Sequence, residues 1–310
     1  MNKNTIKLTI SLSTIRILLF LALIIWAIIS VINVGSEGTK MPIGKNITVS
    51  ICFSLFFILF LLMNISLILN VIFDSSHLNN KIIIALSIIT LNIETIIIYL
   101  KNIDFKKISF KMQKWTAFDI TSIALLLGLY FAIGFVSSLI PPMPFYITIS
   151  FKYIPLFFGA FILPLFGCIT LCFLSATLTA FMPGTPLAFW QFLFDYWIPI
   201  FCIFIAYFFA PNIKLNKLIN KISIWFAFIT IPILIIYFSR VISGVIYWLN
   251  PNKVDVWKEF DWTNNIEYSF IYNSFNSIFD YVLLMICVPS ICESLWVIKE
   301  RFFFNKNLNN

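Results

Sequence analysis

A chain of 310 residues in which 61% are hydrophobic and only 11% charged has too little polar surface to cover a soluble globule of its size. Its mean hydropathy of +0.98 and several apolar runs near the roughly 20 residues needed to cross a bilayer instead describe an all-α, polytopic membrane helical bundle. The formal net charge of +8 is not a nucleic-acid signature, because the lysines cluster in short segments between apolar runs, where they orient helices.

Taken in chain order, residues 1–16 are polar and carry Lys3, Lys7 and Arg16, and an apolar run over 17–34 follows. A basic flank before an apolar run also has the layout of a secretory signal, but no clean small-x-small cleavage site follows, which favours an uncleaved helix. The second run, 47–73, is long enough to span with tilt. The third, 82–100, is just long enough and contains Asn92 and Glu94. An intramembrane carboxylate raises a functional reading. A place near a helix end, or a partner on a neighbouring helix, is the favoured reading of Glu94, because nothing nearby in sequence matches it. Residues 1–100 are thus expected to form an N-terminal transmembrane segment of about three helices, with no role assigned.

The sharpest shift in composition is KNIDFKKISFKMQKWT, residues 101–116, where Lys101, Lys106, Lys107, Lys111 and Lys114 outweigh Asp104. This reads as a basic cytoplasmic linker. Residues 117–310 are expected to form a second, six-helix domain. Its first span, 117–140, carries small residues at Ala124, Gly128 and Ala132, a four-residue spacing that lets another helix approach closely. Pro141, Pro142 and Pro144 then break the chain. Runs over 147–163 and 165–181 are hinged around Pro164 and Gly167, and MPGTP (182–186) leads into 189–210. A second basic loop, 211–221, precedes the spans 222–249 and 268–296, which are separated by a polar loop with Trp257 and Trp262. With 101–116, 211–221 and the tail bearing Lys299, Arg301 and Lys306 inside, six spans place loops 141–146, 182–188 and 250–266 outside and the C-terminus in the cytoplasm. Three full spans before residue 101 would put Lys3, Lys7 and Arg16 outside, against the positive-inside tendency. Either that tendency is overridden or one of the three runs does not span fully.

The candidate chemistry gathers at the outer end of the last two spans. Arg240, Gly244 and Trp248 recur at i, i+4 and i+8, so a helix places a cation, a gap and a large flat ring on one face. Tyr268 and Asn273 open the next span, and Asp195 and Tyr196 lie beyond the second outer loop. An aromatic, a small residue and an amide converging near one membrane surface describe a pocket for a flat polar molecule. Trp248 alone would read as an interfacial anchor; the combination with Gly244, Tyr268 and Asn273 argues for a site. Asn276 and Asp280 continue the polar stripe from Asn273, and Lys152 lies close enough to a loop to snorkel.

Catalysis finds little support. His77, the single histidine, has no HExxH or nucleophile motif around it. The six cysteines, Cys52, Cys168, Cys172, Cys202, Cys287 and Cys292, all lie in apolar runs. Cys168 and Cys172 are four apart, but no His or further Cys group completes a metal set, so reduced core thiols are expected. No cofactor or metal is implied.

Four stretches together resemble a known family: SFKYIPLFFGAFILPLFGCITLCFLSA (150–176), DYW (195–197), SRVISGVIYW (239–248) and YSFIYN (268–273). Residues from about 117 to 296 are similar to the S components of energy-coupling factor (ECF) vitamin transporters, and in particular to the thiamine-binding type. The last two stretches are the most specific, and residues 1–116 lie outside the resemblance.

The resemblance implies that Trp248 stacks on a ring of the vitamin, that Gly244 leaves room beside it, and that Tyr268 and Asn273 supply aromatic and amide contacts. Asp195 stands where the family usually has Glu, at an acidic position meeting the amino-bearing cation, followed by Tyr196 as in the family. Ala124, Gly128 and Ala132 correspond to the small-residue surface on which S components dock to a transmembrane coupling subunit. Transport would use ATP hydrolysed by two separate cytoplasmic ATPases, and the chain has no G-x-x-x-x-G-K-[ST] loop of its own. The chemistry agrees: an aromatic face attracts a cation by roughly 0.5–2 kcal/mol, and a site built to pair an amino group rejects analogues lacking it.

Arg240 departs from the family, which usually has His there. A permanent cation beside a cationic vitamin needs a neutralising carboxylate, for which Asp195 and Asp280 are candidates. The other reading is an anionic substrate, since a phosphorylated thiamine would suit Arg bidentately. Three further readings of the whole chain remain: an S component for riboflavin or folate, a polytopic membrane enzyme, and a non-transport scaffold whose polar residues only join helices.

Overall fold

The computed structural model describes residues 3–34, 43–73, 80–93, 95–96, 115–139, 150–182, 185, 188–211, 218–247 and 265–300, and every regular element among them is helical. Among the described residues six helices are long and apolar enough to cross a membrane, and two shorter apolar helices accompany them. The chain is an all-α polytopic bundle. By mutual contact it divides into two compact units, one built from 1–108, 215–227 and 252–263, the other from 109–214, 228–251 and 264–310.

The first unit holds α1 (Lys3–Val34), α2 (Ile43–Phe73) and α3 (Asn80–Ile89). Two of them contain membrane spans, Lys7–Ile29 and Val49–Leu69. The third does not continue as one helix through the expected run 82–100. Its ten residues rise only about 15 Å at 1.5 Å per residue, half the hydrocarbon thickness. Leu91 then adopts a left-handed conformation (φ 56°), and the Asn92 N–H reaches back to the Ser87 carbonyl at 2.8 Å. This is a Schellman-type stop, with leucine where glycine is usual, and the left-handed leucine costs about 1–2 kcal/mol.

The Asn92 side chain offsets that strain. Its carbonyl oxygen accepts from Ser13 Oγ at 3.1 Å and from the Arg16 guanidinium, and its amide donates to Thr90 Oγ1 at 2.6 Å and Asn64 Oδ1 at 3.3 Å. Apolar contact gains nothing over lipid inside a bilayer, so such hydrogen bonds supply helix association. Helical geometry resumes at Ile93 and at 95–96, so the third run is interrupted at Leu91 and Asn92. Glu94 lies outside the described residues. A Ser66–Ser223 hydroxyl pair at 2.7 Å ties α2 to the segment after 215 within this unit.

The second unit begins at α4 (Ala117–Ser138), whose start is fixed by a capping box. Thr116 Oγ1 accepts from the Asp119 N–H, and Asp119 accepts from the Thr116 N–H at 2.8 Å. α5 (Tyr153–Ile162) and α6 (Leu165–Leu178) follow, separated by Pro164; α5 is shorter than the run expected at 147–163. A short 3-10 turn, Thr179–Phe181, extends α6. α7 (Phe189–Phe209), α8 (Leu218–Tyr247) and α9 (Asn265–Ser294) complete the set. Residues of α8 up to Ala227 belong to the first unit and those from Phe228 onward to the second.

Tyr153, Leu156, Phe157, Cys168, Leu171, Cys172, Ala176, Ile203 and Phe228 form the buried interior of the second unit. All six cysteines are free, as their apolar settings led one to expect. Beyond α9, Lys299 is buried with its ammonium donating to the Pro211 carbonyl at 2.6 Å and lying 4.1 Å from the centre of the Phe161 ring. Burial lowers its pKa to about 7, while the carbonyl and the ring faces favour the ammonium.

Candidate functional site

The DYW segment lies on an irregular part of α7. The helix passes from α geometry (Phe189–Phe192) through a π turn (Leu193–Trp197) and a further α turn (Ile198–Phe201) into a 3-10 stretch. Pro199 explains the π turn. It has no N–H to give the carbonyl four residues back, which is that of Asp195, and its ring crowds that carbonyl. The helix widens there, as π turns do at functional positions. Ser239 Oγ donates to the Phe194 carbonyl at 2.7 Å, tying the widened turn to α8. Asp195 and Tyr196 are thereby carried side by side, both part-buried.

Arg240 is an ion-paired residue. Its Nη1 donates to Asp280 Oδ2 at 3.2 Å, and its Nη2 donates to the Tyr153 hydroxyl at 2.8 Å. The other Asp280 oxygen accepts the Ser150 N–H at 2.8 Å. Side-chain exposure is 15% for Arg240 and 2% for Asp280, so the pair is largely out of solvent. Of the two carboxylates considered as partners, the one in contact is Asp280. Asp195 is an electrostatic neighbour of Arg240 without an ion-pair contact, and lies beside the Ser243 hydroxyl. One arginine thus ties together α8, α9 and the segment entering α5.

Gly244 faces α9 at very short range. A β-carbon there would collide with Ser269 Oγ and lie 2.9 Å from Ser269 Cβ and 3.5 Å from Asn273 Nδ2. The missing side chain lets two helices touch, where the resemblance implied space beside a bound ring. Ser269 Oγ donates to the Val241 carbonyl at 2.7 Å. The Asn273 amide donates to the Ser269 carbonyl at 2.9 Å and the Arg240 carbonyl at 3.4 Å, which fixes the side chain and leaves its carbonyl oxygen as an acceptor. Tyr268 is buried and stacks on Tyr272, with ring centres 5.6 Å apart. Trp248 lies outside the described residues, as do the expected outer loop 141–146 and residues 250–264 of the expected loop 250–266, whose last two residues already belong to α9.

Asp195, Tyr196, Arg240 and Asn273 therefore gather around the Arg240–Asp280 pair in the second unit. Three residues that sequence reasoning did not select belong with them. Tyr153 binds Arg240 directly, Ser150 fixes Asp280, and Tyr272 neighbours both Asp195 and Arg240. Tyr272 lies inside the YSFIYN stretch, at i+4 from Tyr268, and that spacing was the available signal. Tyr153 and Ser150 are 87 and 130 residues from their partners, and no spacing rule reaches so far. Ala124, Gly128 and Ala132 all lie on the exposed side of α4, and a β-carbon at Gly128 would have nothing within 4 Å.

Among the described residues no group of three or more His, Cys, Asp or Glu could hold a metal. The arrangement can bind: it offers a carboxylate, a fixed amide oxygen and tyrosine faces to a flat, hydrogen-bonding cation.

No curated protein matches the chain. The Thiamine transporter protein family (Thia_YuaJ) matches residues 120–299, a range that starts inside α4, ends at Lys299 and contains every site residue above. With more than half of its length matched, and with that site inside the match, the chain belongs to the thiamine transporter protein family.

Proposed function

We propose that this membrane protein captures thiamine at the outer side of the bilayer and passes it to a shared ATP-driven module of the energy-coupling-factor type. The observation that carries the reading is the coincidence of the family match with one polar cluster inside an apolar bundle. In this reading Asp195 meets the amino-bearing cation, Asn273 accepts a hydrogen bond, and Tyr196, Tyr268 and Trp248 supply ring faces. Arg240 acts through its ion pair to hold the site together. Gly244 allows α8 and α9 the approach that aligns Arg240 with Asn273. The C-terminus lies in the cytoplasm, on the same side as the basic segments 101–116 and 211–221.

Binding is tested by titrating the purified protein with thiamine and following tryptophan fluorescence. Saturable quenching is expected, with riboflavin and folate without effect. No response to thiamine from a folded protein would overturn the assignment, and a response to riboflavin alone would transfer it to another vitamin.

The docking role of Ala124, Gly128 and Ala132 has its own test. The bare, exposed backbone at Gly128 suits close approach by another helix. Gly128→Leu is expected to leave thiamine affinity unchanged and to cut thiamine uptake by cells about tenfold or more, as a bulky side chain holds the partner helix away. Normal uptake by that variant would remove the assignment.

A further inference from the structure

Around Arg240 the described ionisable groups other than tyrosines are two cations, Lys152 and Arg240, and two carboxylates, Asp195 and Asp280. They are not equally committed. Both oxygens of Asp280 are used, one by Arg240 and one by the Ser150 N–H. Arg240 is used by Asp280 and Tyr153. Asp195 and Lys152 remain without an ion-pair contact among the described residues.

The charged neighbours of Lys152 are Arg240 and Asp280, whereas that of Asp195 is Arg240. The Lys152 ammonium sits 5.8 Å from the centre of the Tyr196 ring. Asp195 is an electrostatic neighbour of Tyr196, so this one tyrosine lies near both an uncommitted carboxylate and an uncommitted ammonium. A site with that polarity is complementary to a ligand with a cationic ring at one end and an anionic group at the other.

We propose that Lys152 is a specificity-determining residue that receives the phosphate of a thiamine phosphate ester, so that the site takes the ester in preference to the free vitamin. This rests on the reading of the site as a thiamine site. Free thiamine brings a positive charge into a cluster whose charges already cancel, and it leaves the Lys152 ammonium without an anion. A monophosphate ester carries its own negative charge to that ammonium, and a charge-assisted hydrogen bond in a poorly solvated place is among the stronger polar contacts. Lysine suits this role as a point charge on a flexible stem. Arg240, fixed by Asp280 and Tyr153, is not the phosphate ligand.

The test compares affinities for thiamine and thiamine monophosphate in wild type, Lys152→Gln and Lys152→Arg, each shown folded in detergent by its thermal transition. Wild type is expected to favour the monophosphate by about tenfold or more, the scale of one such contact. Lys152→Gln is expected to lose that preference while keeping or improving its affinity for thiamine, and Lys152→Arg to retain it. A wild type that prefers free thiamine, or a Lys152→Gln that weakens both ligands equally, overturns the proposal and leaves the thiamine reading standing. Binding of neither ligand by folded wild type overturns the thiamine reading and this proposal with it.

Discussion

Asp280→Ala is expected to be among the most damaging single substitutions in the second unit, costing about 3–5 kcal/mol of stability and abolishing measurable thiamine binding. The size follows from an asymmetry. A buried ion pair contributes little net stability, because desolvating two charges offsets their attraction. Removing one partner leaves the other charge buried and uncompensated, and that is expensive. Here the orphan would be Arg240, with 15% of its side chain exposed and, among the described residues, the Tyr153 hydroxyl left to accept from it. The Ser150 N–H would lose its acceptor as well, so the segment entering α5 would come loose from α9. Asp280→Asn should fall between, since its amide oxygen can still accept from Ser150. The decisive measurement is a double substitution: Asp280→Ala with Arg240→Met removes the orphan cation and should recover much of the thermal stability without restoring binding. If Asp280→Ala alone unfolds at the wild-type temperature, the pair does not organise the site.

Much of this architecture is legible in the sequence, for physical reasons that can be named. Composition decides whether a chain of this size stays in water or enters a bilayer. Pro164 marks where one helix stops and the next begins. What was not readable came from contacts between distant segments. The third run looked like a plain span because its apolar length satisfies a hydropathy count. Its break depends on Asn92 being held by Ser13, Arg16, Asn64 and Thr90, residues of three different segments. The partner of Arg240 could be narrowed to two carboxylates by charge, and geometry chose between them.

The π turn is an intermediate case. Pro199 stands four residues after Asp195, and the lost hydrogen bond was implicit in that spacing. Whether a helix answers by kinking or by widening depends on what accepts or donates nearby, and Ser239 does so from another helix.

Gly244 separates two physical roles that a sequence pattern cannot tell apart, and a substitution distinguishes them. A glycine one turn from a ring-bearing residue reads as room for a ligand. Its observed surroundings are Ser269 and Asn273 of α9, nearer than a β-carbon tolerates. If the glycine serves a ligand, Gly244→Ala should weaken binding and leave the folded protein as stable as before. If it serves the helix contact, Gly244→Ala should force α8 and α9 apart, costing about 1–3 kcal/mol as overpacking does. It would also strain the Ser269–Val241 and Asn273–Arg240 hydrogen bonds, so affinity should fall with stability. The second outcome is expected. Ser269→Gly added to Gly244→Ala removes the atoms the new methyl would meet and should return part of both losses, although it also gives up the hydroxyl's bond to Val241. Recovery by that pair would identify the contact itself as the cause, because a change at Ser269 cannot restore room beside a ligand that Gly244 had been providing. A Gly244→Ala protein that unfolds like wild type but binds thiamine poorly would return the glycine to the ligand.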